Sequence, residues 1–215
     1  MERIICLAIG YLFGMFQTSY IIGKIHHMDI RQYGSGNAGT TNALRTLGKK
    51  AGAMTLIGDM LKCVIAILIV DAVFKNRYQE ILPLLGMYTA AGCVLGHNFP
   101  FYLGFRGGKG IAASAGMLLA MDWRVFLICA VIFIGLVAIT PLCVIGVNGS
   151  ICRCADLFHW VWRCGSYGMD FPHTFEMDVI MGLMTALAIY RHRANIYRLL
   201  NGTENKLGAA KTAAK

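Results

Sequence analysis

Two polar, glycine-rich segments and one short basic stretch carry the residue types that could do chemistry in this sequence. Residues 29–48 run Asp29-Ile-Arg-Gln-Tyr-Gly-Ser-Gly-Asn-Ala-Gly-Thr-Thr-Asn-Ala-Leu-Arg-Thr-Leu-Gly48, with no apolar periodicity. Glycine at Gly34, Gly36 and Gly39 lets the backbone adopt positive φ and turn successive N–H groups inward, which makes an anion-binding nest. Ser35, Asn37, Thr40, Thr41 and Asn42 add neutral donors, and Arg45 adds a planar fork suited to phosphate. The alternative is an ordinary flexible connector, which the close spacing of Arg45 with these donors disfavours.

Residues 96–110 contain His97 and end in Gly107-Gly108-Lys109-Gly110. A Walker loop requires Gly-x4-Gly-Lys followed by Ser or Thr. Here Leu103 holds the first glycine position and Gly110 replaces the hydroxyl residue, so nucleotide binding is excluded. Glycine amides and a lysine at the mouth of a following helix remain a phosphate site. A transport gate or a packing turn is the competing explanation. The third stretch is His192-Arg-Ala-Asn195 with Arg198. His192 and Asn195 are three apart and share a face if the helix continues. An unperturbed histidine, with a pKa of about 6.5, can take up a proton near neutrality. His97 alone at the edge of an apolar run reads as structural more readily than catalytic.

The elements that must position these groups are membrane helices. The chain has 215 residues, 57% hydrophobic and 14% charged, with a mean hydropathy of +0.58. A soluble domain carries about a quarter charged residues, and a spanning helix needs roughly 20 apolar ones. Apolar runs cover Ile4–Gly23, Ala53–Phe74, Ile81 to about Pro100, Ile111–Ile139 and Val179–Tyr190. The fourth is interrupted by Asp122-Trp123-Arg124, which predicts two short helices around an interfacial turn. The expected fold is all-α, a polytopic membrane protein of about seven spans (about five as the alternative), with its site at the cytoplasmic face.

Residues 1–207 read as one membrane-embedded domain, and 208–215 as a short basic disordered tail. The net charge of +9 concentrates at 24–52 and beyond 191. Basic loops stay inside, which places the N-terminus outside and the C-terminus in the cytoplasm. Nothing offers the basic soluble surface that nucleic acid would need.

Gly10 and Gly14, and again Gly92 and Gly96, form GxxxG pairs that permit close helix contact. Asp59 and Lys62 lie three apart inside the second run, either functional or an internal ion pair. Cys6, Cys63, Cys93 and Cys129 fall in apolar runs as small hydrophobes. Cys152, Cys154, His159 and Cys164 fit no standard zinc spacing, and no metal site is expected.

In order and spacing, three motifs resemble the bacterial acyl-phosphate:glycerol-3-phosphate acyltransferases, the PlsY family. They are Gly34-Ser-Gly-Asn37 through Asn42 and Arg45, Gly96-His97 through Gly107-Gly-Lys-Gly110, and His192-x-x-Asn195-Ile196 through Arg198-Leu199. The resemblance implies seven helices and transfer of an acyl chain from acyl phosphate to the sn-1 hydroxyl of glycerol 3-phosphate. The product would be lysophosphatidic acid, with no cofactor, in a bacterial inner membrane. It further implies Ser35, His192 and Asn195 as catalytic residues, and Gly36, Asn37, Asn42, Arg45, His97, Gly107, Gly108, Lys109 and Gly110 in substrate binding. Membrane lipids and a soluble acyl-phosphate-forming enzyme are the expected partners.

The departure is 141–171, where only Ser150 is a counterpart of the family's serine-bearing active-site segment, so the resemblance implies Ser150 as a further substrate-binding residue. The density of Cys, Trp and charge there is what a shifted reading frame would produce. From another function class, a small transporter or channel for an organic anion is the rival, with glycine loops lining a filter. The absence of a visible internal repeat argues against it.

Overall fold

The computed structural model describes residues 1–139, 156–157, 159–161 and 167–204. Ser150, Cys152, Cys154 and Cys164 lie outside them, as do most of 141–171 and the tail from 205. Among the described residues the regular elements are all helical. They are α1 (Glu2–Gly14), α2 (Thr18–Ile25), α3 (Thr40–Leu47), α4 (Lys49–Phe74), α5 (Leu82–Asn98), α6 (Ile111–Met121), α7 (Trp123–Ile139) and α8 (Phe171–Leu200).

The outer faces of these helices are greasy. Leu61, Ile65, Leu68, Ile69 and Val73 on α4 are exposed, as are Leu127, Ile128, Val131 and Ile134 on α7. In water this would be an apolar patch far beyond what a soluble monomer tolerates; in a bilayer it is the lipid face. By length and composition, Glu2–Ile25 taken across its break and Lys49–Phe74 are each sufficient to cross a membrane. Ile111–Met121 and Trp123–Ile139 are apolar but shorter.

Small residues set the tightest helix contact. A Cβ on Gly10 would run into the backbone of Thr89 and Cys93, and one on Gly92 into the backbone of Leu7 and Tyr11. Gly14 and Gly96 are closed off in the same way by Cys93 and Tyr11. The two GxxxG pairs therefore face each other across α1 and α5, as their spacing predicts. The main core forms around α5 from Cys63, Met87, Cys93, Met117, Met177 and their neighbours.

Three boundaries differ from the sequence expectation. The first apolar run is not one helix: it breaks at 15–17, between α1 and α2. Its orphaned carbonyls at Gly14 and Phe16 accept from Lys62 Nζ at 3.1 and 2.6 Å, which is how a broken helix survives away from water. The last helix spans Phe171–Leu200, extending beyond both ends of the apolar run Val179–Tyr190. Asp170 starts it by accepting from His173 N at 3.2 Å, and the basic stretch simply continues the helix. Finally, α4 begins at Lys49, directly after Gly48, whose φ of 90° makes the corner with α3.

At Asp122 the chain does turn between two short helices. The carboxylate accepts from Arg124 N at 2.9 Å and pairs with the Arg124 side chain at 2.8 Å, while Trp123 stays exposed. Asp59 and Lys62 do form an internal pair at 3.0 Å, both almost fully buried. Removing one partner of such a pair costs about 3–5 kcal/mol.

Candidate active site

The site is assembled where the loop after α5, the loop before α3 and the basic end of α8 converge. The loop after α5 is held from behind. Gly107 N donates to Asn98 O at 3.2 Å and Gly108 N to His97 O at 3.0 Å. From in front, Arg191 Nη2 donates to Gly107 O at 3.3 Å and Gly108 O at 2.8 Å, with its guanidinium over the Phe99 ring at 5.1 Å. Glycine is required at 108: a Cβ would land on the His97 imidazole and on Ala38 O. Gly110 has a φ of 83° and starts α6.

Lys109 then projects toward α8, where its ammonium donates to Asn195 Oδ1. The Asn195 amide passes the interaction on, donating through Nδ2 to Glu204 Oε1 at 2.9 Å. Arg198 Nε closes the set by donating to Glu204 Oε2 at 2.9 Å. One buried carboxylate thus fixes an asparagine and an arginine from successive turns of α8, and through the asparagine the lysine of a distant loop.

His192 lies on the basic extension of α8, past the apolar stretch that ends at Tyr190, and is 4% exposed. Its Nδ1 lies 2.8 Å from Ala188 O; a carbonyl can only accept, so Nδ1 carries the proton and Nε2 the lone pair. Burial first, and the nearby Lys109 charge second, push its pKa down to about 4. The sequence suggested an ordinary titrating histidine. In the folded protein it is a neutral imidazole throughout the physiological range, because desolvation and a neighbouring cation both disfavour the charged form.

The loop before α3 has a different construction. Gly34 and Gly36 adopt φ of 60° and 70°, and the turn they shape is latched by Asn42. Its Oδ1 accepts from Ser35 N at 2.8 Å, while its Nδ2 donates to Ile30 O at 3.0 Å and Tyr33 O at 3.1 Å. Asn42 is 1% exposed, so its amide holds the loop in shape with all three of these bonds directed inward. Ser35 and Gly36 remain exposed, with Asn37 beside them. Arg45 sits on α3, and among the described residues no hydrogen bond or ion pair engages its guanidinium. The two loops touch where Ala38 O packs against Gly108 and where Arg31 Nη1 donates to Leu103 O at 3.0 Å.

His97 belongs to this site but not to its surface. It is 2% exposed and lies behind Gly108, so it shapes the loop from within the protein. Reading the sequence missed two contributors. Arg191, at the start of the basic stretch, clasps the loop backbone, and Glu204, beyond the last helix, anchors Asn195 and Arg198. The signal available was their nearness to His192 and Asn195, which could not show what they touch.

The sequence profile of the glycerol-3-phosphate acyltransferase family matches residues 4–202. The chain is 47% identical over 210 residues to the glycerol-3-phosphate acyltransferase of Clostridioides difficile strain 630, covering 97% of both chains. It is 38% identical to that of Lactiplantibacillus plantarum, covering 95% of this chain and 92% of the relative. Among solved structures, it resembles PlsY (YgiH), an integral membrane glycerol 3-phosphate acyltransferase, in its glycerol 3-phosphate form. That likeness has a TM-score of 0.81 at 30% identity and covers 97% and 96% of the two chains. The lysophosphatidic acid form of the same protein matches with a TM-score of 0.79 at 29% identity, with the same coverage. By fold, by motif and by full-length similarity, this integral membrane chain belongs to the glycerol-3-phosphate acyltransferase family.

Proposed function

We propose that this enzyme transfers a fatty acyl chain from acyl phosphate to the sn-1 hydroxyl of glycerol 3-phosphate, releasing lysophosphatidic acid and inorganic phosphate. The observation that carries the reading is the Lys109–Asn195–Glu204–Arg198 network beside His192. It puts a lysine and an asparagine amide at a backbone loop already shaped by glycine, while Arg45 is carried by α3, which follows the loop that meets Gly108 at Ala38. Two phosphate-bearing substrates require two cationic cradles, and the loops supply one each.

The donor is an activated mixed anhydride, so the protein's task is mainly positioning and stabilisation of the carbonyl oxyanion. The glycerol hydroxyl oxygen attacks the acyl carbon, an ester bond forms, and the acyl–phosphate bond breaks with its electron pair leaving on phosphate. The hydroxyl proton must go to a base. His192, at a pKa of about 4, is the weaker acceptor; a phosphate, with a second pKa of about 6, is the stronger. The proton therefore goes to substrate phosphate, and His192 contributes Nε2 as a neutral hydrogen-bond partner. Lys109 neutralises the charge that grows on the departing group, while Gly107 N and Gly108 N, bonded to Asn98 O and His97 O, hold the loop that carries it.

The acyl tail needs a lipid-accessible path. An apolar groove lined by Leu7, Ala8, Tyr11, Leu12 and Leu95 opens between α1 and α5, and Tyr11 Oη reaches Phe99 O at 2.8 Å, next to Arg191. The basic extension of α8 and the Lys49–Lys50 corner favour a cytoplasmic site in a bacterial plasma membrane, with seven spans and the N-terminus outside. A soluble acyl-phosphate-forming enzyme would supply the donor.

The test is purified protein in detergent with acyl phosphate and glycerol 3-phosphate. Lysophosphatidic acid and phosphate should appear one for one. Absence of product, together with anion flux through the protein in liposomes, would replace this reading with transport.

A further inference from the structure

Behind the loop lies a buried charged cluster that the acyl-transfer chemistry does not touch. Lys62 Nζ, in the middle of α4, has four acceptors around it: Gly14 O at 3.1 Å, Phe16 O at 2.6 Å, His97 Nδ1 at 2.8 Å and Asp59 Oδ1 at 3.0 Å. An ammonium has only protons to offer, so Nδ1 of His97 accepts and the imidazole proton resides on Nε2. That nitrogen is the atom a Cβ at Gly108 would strike. The backbone of His97 is held as firmly as its ring, because its carbonyl accepts from Gln17 Nε2 at 2.8 Å and from Gly108 N at 3.0 Å. Asp59 completes the cluster, accepting also from Thr18 Oγ1 at 3.0 Å.

We infer that Lys62, with Asp59 as its counter-charge, is a positioning residue for acyl transfer: it fixes the His97 ring against Gly108 and so sets where Lys109 stands. The inference deepens the acyltransferase reading and rests on it. A residue needed only to tidy a broken helix would bond the two carbonyls of the break and stop. Beyond those two carbonyls, Lys62 shares its remaining proton between the Asp59 carboxylate and the histidine whose other face is the floor of the loop. The path is short and continuous: Lys62 to His97, His97 to Gly108, and Lys109 next in the chain, bonded to Asn195. A displacement on the order of 1 Å at such a loop can lower turnover about 100-fold.

The experiment compares the wild-type protein with the charge-neutral pair Asp59→Asn/Lys62→Gln, which avoids stranding one buried charge. Both are purified in detergent and checked for monodispersity and thermal unfolding, then assayed with acyl phosphate and glycerol 3-phosphate. The expected result is a folded variant whose kcat falls about 10- to 100-fold while both KM values stay within about 3-fold. In parallel, 15N-histidine NMR of the wild type should show one imidazole fixed with its proton on Nε2 between pH 5 and 8, and the variant should lose that signature.

A folded variant with wild-type kcat would overturn the inference, as would a kcat loss that only tracks loss of folded protein. If the pair does not accumulate in folded form, Gln17→Leu removes only the brace on the His97 carbonyl. It must then lower kcat several-fold in folded protein, and an unchanged kcat overturns the inference equally. An inactive wild type would instead count against the acyltransferase reading itself, which separates the two failures.

Discussion

The two glycine-rich loops carry similar residue types but are built in opposite ways. The loop at 107–110 is clasped on every side: Arg191 holds its carbonyls, His97 and Asn98 its amides, and Asn195 its lysine. The loop at 33–39 has one inward latch, Asn42, and presents Ser35 and Gly36 to solvent with Arg45 uncommitted nearby. The first is finished before substrate arrives; the second has its shape but not its contacts. Preorganised donors belong where charge develops in the reaction, since they need no rearrangement at that moment. An open cradle belongs where a soluble polyol phosphate must enter and leave.

The largest effect that could break this contrast is at Lys109. Lys109→Ala should lower turnover by about 100- to 1000-fold, the usual result of deleting one preorganised electrostatic donor, with little change in thermal stability in detergent. Near-normal turnover would mean that the clasped loop does not face the reacting atoms. Next comes Arg45→Ala, which removes a charge-assisted contact of about 1.5–3 kcal/mol. A fall of roughly 10- to 100-fold in kcat/KM is expected, and an unchanged value would take Arg45 out of the site.

A smaller effect is expected from Asn42→Ala. The latch makes three bonds to the turn, each with a net worth of about 1 kcal/mol. Hydrogen exchange should therefore rise selectively at residues 30–36, and activity should drop several-fold through weaker binding. Exchange that rises equally at 107–110 would show that the loops are one unit, not two.

The smallest effect concerns His192. Its folded pKa of about 4 is below the ordinary value of 6.5, so the unfolded chain binds more protons between those values. Its contribution to stability is therefore complete above about 6.5, declines as pH falls toward about 4 and is level below that. The thermal midpoint of the wild type should drop between pH 7 and 5 by more than that of His192→Gln. Parallel curves for the two proteins would contradict the burial of a neutral imidazole.

Much of the architecture was visible in the residues. GxxxG spacing on Gly10/Gly14 and Gly92/Gly96 gave the α1–α5 contact, and Asp122-Trp123-Arg124 gave the turn between α6 and α7. The motifs for the site were also visible, because glycine runs and basic residues in an apolar chain have few other uses. What stayed hidden depended on tertiary contact. Polarity at Asn42 suggested a substrate ligand, and the family resemblance implied the same for His97, yet their atoms bond to the protein itself. Arg191 and Glu204 stand in the sequence only as charges near His192 and Asn195, since nothing in a sequence tells which carbonyl a guanidinium will reach. The break in the first helix was equally hidden: its carbonyls are satisfied by a lysine 46 residues away from Phe16.

The central claim is that the two loops hold two different phosphates, and steady-state kinetics with each substrate varied in turn tests it most directly. Wild type, Arg45→Ala and Lys109→Ala would each be titrated with acyl phosphate at fixed glycerol 3-phosphate, and the reverse. The account predicts that Arg45→Ala raises KM for glycerol 3-phosphate about 10-fold or more and leaves KM for acyl phosphate nearly unchanged, while the loss in Lys109→Ala does not fall on glycerol 3-phosphate binding. Two variants that raise the same KM to the same extent would contradict it, and would merge the two cradles into one.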